Sequence, residues 1–269
     1  MKRKVAFFGA LIFLMQCTTV PITGRKQLKL FPSSQMTSMS FTQYEEVKKE
    51  AKLLPDSDPR TQLVKRVGDK LSKAANYYME KNGMKKHLET FEWEFNVSDE
   101  NIVNAWAMPG GKVMFYTGIL PICDGEDGVA TVMGHEIAHA IARHGNERMS
   151  QQIPVQIGTM GLAVALEQKP EATKNILMLA TGAGAQGLLL KYSRTHESEA
   201  DKMGLVFMTM AGYEPQVAAD FWKRMAANKG GQQPPEFLST HPSDERRIND
   251  INEFIPKAKE IAAKNKMPS

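Results

Sequence analysis

The stretch "VMGHEIAHAIARHG", residues 132–145, packs three histidines and one glutamate into fourteen residues. An α-helix turns by about 100° per residue, so His135 and His139 stand one above the other on a single face, where two imidazoles can share one ion. Glu136 sits beside that pair, at an offset from which a carboxylate can act as general base toward water at the metal without ligating the metal itself. On a continued helix His144 would lie about 180° from His135. It is expected at the surface or in the last helical turn, pointing away from the ion.

The helix itself is read from Val129, Val132, Met133, Ile137, Ala138 and Ile141, which recur at three- and four-residue intervals. Gly125 and Gly128 precede them and Gly145 follows. Together these residues form the pattern H-E-x-x-H on a buried helix, the spacing of a zinc-dependent hydrolase.

A catalytic zinc takes three protein ligands and keeps a fourth position open. The local extension H-E-x-x-H-x-x-G-x-x-H would need Gly at 142 and His at 145, but the chain holds Ala142 and Gly145. A carboxylate from a later helix is the alternative. Tyr192-Ser-Arg-Thr-His-Glu-Ser-Glu-Ala-Asp201 offers Glu197 and Asp201 four residues apart, hence on one face. Glu197 would ligate zinc, and Asp201 would hydrogen-bond a motif histidine and fix its tautomer. Glu199 points roughly the other way. Taken alone, such a spacing is equally that of solvated charge on an exposed helix.

The elements that must position these groups read as follows. Segments 42–53 and 59–80 have amphipathic helical spacing, the second opening on Asp58-Pro59 and ending at Asn82-Gly83. Phe91 to Val97 alternates as a strand does. Asn101–Met108 and Lys112–Thr117 flank Pro109-Gly110-Gly111 as two extended runs around a turn, which predicts a small antiparallel sheet. Ile153–Leu166 and Ile176–Leu190 are apolar but shorter than a membrane span. They are either buried helices or a mobile, membrane-touching cover over the site. Segments 195–211, 215–228 and 243–263 complete the helical spacing. No internal repeat is present, so the fold class is α+β, one mainly helical domain.

Composition sets outer bounds. The chain has 269 residues, 42% hydrophobic and 24% charged, as a globular protein does. Lys2, Arg3 and Lys4 precede an apolar run from Val5 to Met15, the pattern of an export signal over residues 1–16. Cys17 follows directly, as in a lipoprotein whose cysteine becomes the lipidated N-terminus, although the preceding Gln16 is not small. Losing the signal removes three cations and lowers the net charge from +4 to about +1, so nucleic acid is not an implied partner. With Cys17 lipidated, Cys123 has no intramolecular partner and no disulfide is expected. Residues 18–40, rich in Thr, Ser, Pro and Gly, read as a tether, with the domain running over 41–269.

Three segments in order, "NAWAMPGG" at 104–111, "GHEIAHAIARH" at 134–144 and "ESEAD" at 197–201, resemble the gluzincin metallopeptidases that include HtpX, BepA, LoiP and the CAAX prenyl proteases. "STHPSDERRI" at 239–248 matches as well, and "CTTVPITGRKQL" at 17–28 is similar to lipoprotein members. The resemblance implies a zincin-like fold, one zinc ion per chain held by His135, His139 and Glu197, Glu136 as the catalytic carboxylate and Asp201 as a supporting acid. It also implies that His241 either approaches the zinc as a fourth ligand and closes the site, or is a loop histidine before a helix. The strand holding Asn104, Ala105, Trp106 and Ala107 would lie beside the cleft, either receiving a substrate peptide as an added strand or serving as a purely structural hairpin. No tetratricopeptide repeat is seen, so the chain resembles a minimal protease domain.

The expectation is therefore a zinc metalloendopeptidase of the bacterial envelope, anchored through Cys17 to the outer membrane and facing the periplasm. Its substrates would be unfolded or extended proteins, with outer-membrane assembly machinery as a further partner. The competing expectation is a chaperone or assembly factor with a closed, weakly active zinc site.

Overall fold

The computed structural model describes residues 17–167, 169–228, 235–242 and 245–268. The expected export signal, residues 1–16, lies outside the described residues. Two layers organise the rest: a helical assembly around one long central helix, and a small sheet against one side of it.

Helix α1 (Ser33–Glu50) and α2 (Pro59–Lys81) come first. Asp58 caps α2 by accepting from the Arg60 amide, and Pro59 occupies the first turn, where its missing N–H costs nothing. The sheet follows, with β3 (Glu94–Ser98), β4 (Ala105–Met108) and β5 (Lys112–Tyr116), after a two-stranded ribbon, β1 (Cys17–Thr19) and β2 (Lys26–Leu28), at the amino end. The predicted hairpin is β4–β5, antiparallel around Pro109–Gly111. Strand β3 joins β5 in parallel, so the order is β3-β5-β4 and the sheet is mixed, with β4 on an edge.

Short α3 (Leu120–Cys123) leads into α4 (Glu126–Ile141), which carries the histidine motif and is buried from Gly128 to its end. Then come α5 (His144–Ala165), α6 (Glu171–Met210), α7 (Val217–Ala227), α8 (Glu236–Thr240) and α9 (Glu245–Lys264). Helix α4 crosses α6 at two glycines. A Cβ on Gly204 would stand 2.9 Å from the Gly134 carbonyl carbon and 3.0 Å from the His135 nitrogen, so only hydrogen at this position allows the backbones to meet so closely. That crossing brings the second carboxylate segment to the first motif. Around it pack Val129, Met133, Ile137, Met203, Phe207 and Trp222, all essentially without solvent contact. Cys123 is buried and free.

One expectation fails here, and one of two alternatives is narrowed. The stretch expected as a tether over residues 18–40 is folded onto the domain: Val20 is fully buried, β1 pairs with β2, and α1 already begins at Ser33. Three-residue strands leave too short a pattern for alternation to show. The apolar run Ile153–Leu166 does form helix, but Ile157, Met160 and Val164 are exposed, as are Leu177 and Leu179 of the second run. Neither run is core at these positions. No helix of the described residues is long and apolar enough to cross a membrane.

Candidate metal centre

Helix α4 sets His135 and His139 on one face, with ring centroids 4.6 Å apart and Nε2 atoms 3.0 Å apart. From α6, Glu197 brings Oε2 to 3.2 Å from His135 Nε2 and Oε1 to 3.4 Å from His139 Nε2. His241, just past α8, places Nδ1 at 3.1 Å from His135 Nε2 and 3.0 Å from Glu197 Oε2. These four donor atoms lie within 4.8 Å of one another, and all four residues are buried. The segments "GHEIAHAIARH", "ESEAD" and "STHPSDERRI" therefore converge on one point.

The donor set fits zinc on geometry and on proton balance. Zinc–ligand bonds of about 2.0–2.1 Å in a tetrahedron separate the donors by about 3.3–3.4 Å, close to the spacings seen. Asp201 accepts from His135 Nδ1 at 2.9 Å. The His139 Nδ1 lies 2.9 Å from His144 Nδ1. Asp201 and His144 thus engage the two rings at Nδ1 and leave both Nε2 atoms aimed at the common point with Glu197, where a cation would take the place of the proton on His135.

Electrostatics follows from burial and neighbours. Burial pushes Glu136 above the usual carboxylate range, and its Oε1 has no hydrogen-bond partner while Oε2 accepts from the Ala107 amide at 3.2 Å. Burial also holds His139 neutral, well below the ordinary imidazole value. The carboxylates of Asp201 and Glu197 overcome the burial of His135 and hold it up at about 9. Burial opposes the charge on Glu197, but the surrounding imidazoles of His139, His241 and His135 keep it well below the carboxylate range. Asp201 is likewise lowered against its burial, chiefly by Arg247. That guanidinium grips Asp201 with two bonds of 2.7 Å, reaches Glu197 at 3.2 Å, and lies 3.4 Å above the Trp222 ring.

Each residue expected at the site can now be located. His135, Glu136, His139, Glu197 and Asp201 stand together, and His241 is among them. Ala107 meets Glu136 from the free edge of β4, whose other side pairs with β5. Asn104 and Ala105 are less available than expected: both are buried, Asn104 donates to Glu236 at 2.9 Å, and the Ala105 amide donates to the Asn104 side chain. Trp106 turns to Tyr116, whose hydroxyl accepts from its Nε1 at 3.3 Å. Cys17 opens β1, opposite Leu28.

His144 corrects the sequence reading. It is fully buried and touches the back of His139, because α4 ends at Ile141 and the chain reverses at Arg143, in the left-handed region at φ 58°. Extrapolating the helical phase past that point gave the wrong direction. Sequence reasoning also missed Arg25, Glu147, His196 and the use of Glu199. No periodicity connects them, and only the fold brings them together.

Helical α+β architecture with a buried His/His/Glu cluster and a carboxylate beside it defines a zinc metalloendopeptidase. The chain belongs to peptidase family M48, whose model matches residues 60–255. It is 34% identical to the mitochondrial metalloendopeptidase OMA1 of Schizosaccharomyces pombe over 266 residues, covering 96% of this chain and 74% of that protein. To the OMA1 of Saccharomyces cerevisiae it is 37% identical over 217 residues, 78% of this chain and 60% of that protein. It is 30% identical to the beta-barrel assembly-enhancing protease of Yersinia pestis over 163 residues, 59% of this chain and 33% of that protein.

Proposed function

We propose that the chain cleaves peptide bonds in extended or unfolded protein segments at a zinc ion held by His135, His139 and Glu197, with Glu136 as the proton acceptor. Zinc in such a site polarises a carbonyl and acidifies water. The chain's own residues do the rest. Glu136, its pKa lifted by burial and its Oε1 without a hydrogen bond and 3.5 Å from His241 Nε2, is poised to take a proton and return it to the leaving amine. Asp201 holds His135 in the tautomer that offers Nε2 to the metal. The free edge of β4 supports peptide capture by strand addition, since the Ala107 amide already points outward to Glu136. Backbone bonding of this kind selects extended chain over sequence.

The observation that carries the reading is the convergence of His135, His139 and Glu197 on one point with Glu136 alongside. Replacing Glu136 with Gln should keep zinc content at wild-type level and lower cleavage of an unfolded substrate by about 10²–10⁴-fold. Equal cleavage by both proteins would end the assignment.

A second feature favours a closed resting state. His241 stands in the donor cluster, and α8 seals it: the Phe237 ring lies 4.7 Å from His241, and its amide donates to the Val103 carbonyl at the entry to β4. His241→Ala should raise turnover if this segment shuts the site. Unchanged turnover would remove the latch, whereas a chaperone with a closed centre would assist assembly even as Glu136→Gln.

The cellular setting rests on the amino end. Cations, an apolar run and Cys17 support export and lipid attachment, with the domain in the periplasm at the outer membrane and misfolded or stalled envelope proteins as substrates. One relative's name refers to β-barrel assembly, which supports a link to that machinery, although the OMA1 relatives are named as mitochondrial. Labelling by a radioactive fatty acid that disappears in Cys17→Ser tests the anchor.

A further inference from the structure

We propose that Arg25, carried by the amino-terminal ribbon, is a positioning residue for the metal centre, acting through Glu199 and His144 on the ring of His139. The proposal rests on the reading of His139 as a ligand through Nε2.

The path is continuous. His139 Nδ1 lies 2.9 Å from His144 Nδ1, and His144 Nε2 lies 3.1 Å from Glu199 Oε2. Glu199 in turn accepts from Arg25 Nε at 2.8 Å, Arg25 Nη2 at 2.8 Å and the Thr23 hydroxyl at 2.9 Å. The guanidinium is shared with Glu147, which accepts from Nη1 at 2.8 Å and Nη2 at 2.6 Å. Glu147 also meets His196 Nε2 at 2.9 Å, and the His196 ring stacks on His144 at 4.3 Å. Except for Arg25 and Thr23, every group in this cluster is buried.

Proton balance gives the path a direction. A carboxylate only accepts, so Glu199 fixes the His144 proton on Nε2 and leaves Nδ1 as an acceptor. That acceptor fixes the His139 proton on Nδ1. Nε2 of His139 is then bare and faces Glu197 and His135. Arg25 binds both carboxylates at once and holds Glu199 in place against His144. Without it, Glu199 is free to swing away from His144 Nε2, and the tautomer of His144 is no longer set. An arginine that merely pinned the ribbon would bind the two acids as well, but it would leave the ligand geometry indifferent to its removal.

The test uses the full chain, loaded with zinc or with cobalt as a spectroscopic reporter. His144→Leu should weaken zinc binding, read by chelator competition, by about 10–100-fold, and shift the visible cobalt bands. His144→Asn, which keeps an acceptor near Nδ1, should recover most of the affinity. Arg25→Met should weaken zinc by about tenfold and shift the same bands, and should add nothing further in the His144→Leu background. Glu199→Gln, which preserves shape, reads the same coupling should Arg25→Met fail to fold. Wild-type affinity and unshifted bands in Arg25→Met or Glu199→Gln, even with a lowered melting temperature, would overturn the proposal. His139→Ala separates this from the underlying reading: if it binds zinc as wild type does, His139 is not a ligand and the reading itself falls.

Discussion

The two histidines of α4 are supported in different ways. His135 leans directly on a carboxylate, Asp201, which Arg247 grips from behind with two 2.7 Å bonds. His139 leans on a neutral imidazole, His144, held neutral by burial at about 4, and reaches a carboxylate only one ring further on. On one side the acid and the ligand Glu197 share a helix, one turn apart. On the other, three separate elements must meet: the ribbon β1–β2, the start of α5 and the opposite face of α6. The first arrangement keeps acid and ligand on one helix, with Arg247 brought by α9, and the second depends on how the amino end docks.

Removing the arginine behind each support is the largest expected contrast. Arg247→Ala leaves Asp201 as a buried carboxylate with His135 as its remaining partner and removes the guanidinium from Glu197, and should cost about 3–5 kcal/mol in metal-free denaturant unfolding. Arg25 is about a quarter exposed, with side-chain accessibility of 24%, so water can partly replace it. Arg25→Ala should cost about 1–3 kcal/mol. Equal losses would mean that the two sides are buried to the same effective degree and that the comparison fails.

A smaller effect should fall on one side alone. Gly204→Ala drives a methyl into the backbone of Gly134 and His135, where neither neighbour is a flexible side chain. Overpacking of this kind should cost about 1–3 kcal/mol. The displacement is borne at His135, so the cobalt bands should move while the melting loss stays below that of Arg247→Ala. An unchanged melting temperature would show slack at the helix crossing.

The same contrast explains what could be read in the sequence. His135, Glu136 and His139 are legible because one helix repeats its phase, and Glu197 with Asp201 for the same reason on another helix. The identity of Asp201 as support follows from its distance of one turn. His144 was not legible because its direction depends on a left-handed residue, Arg143, that no spacing announces. Arg25 sits in a stretch whose Thr, Pro and Gly content suggests a tether, and two strands of three residues leave no periodic trace. The parallel partner of β5 was equally hidden, since register between distant strands is a tertiary outcome. Apolarity alone left two readings open, and at Met160 and Leu179 the exposed side chains exclude the buried one.

The least effect is expected at Thr23, and it shows whether the His139 side depends on charge or on the number of donors. Its hydroxyl donates to the same Glu199 oxygen that accepts from Arg25 Nε. Thr23→Val removes that donor, keeps the shape and leaves the guanidinium in place, so stability should fall by about 0.5–1.5 kcal/mol. Zinc affinity should stay within about twofold of wild type, against the tenfold expected for Arg25→Met. If Thr23→Val weakens zinc as much as Arg25→Met does, Glu199 is held by the sum of its neutral and charged bonds. The His139 side would then be as tightly specified as the His135 side, and the contrast between a local and a docked support would lose its basis.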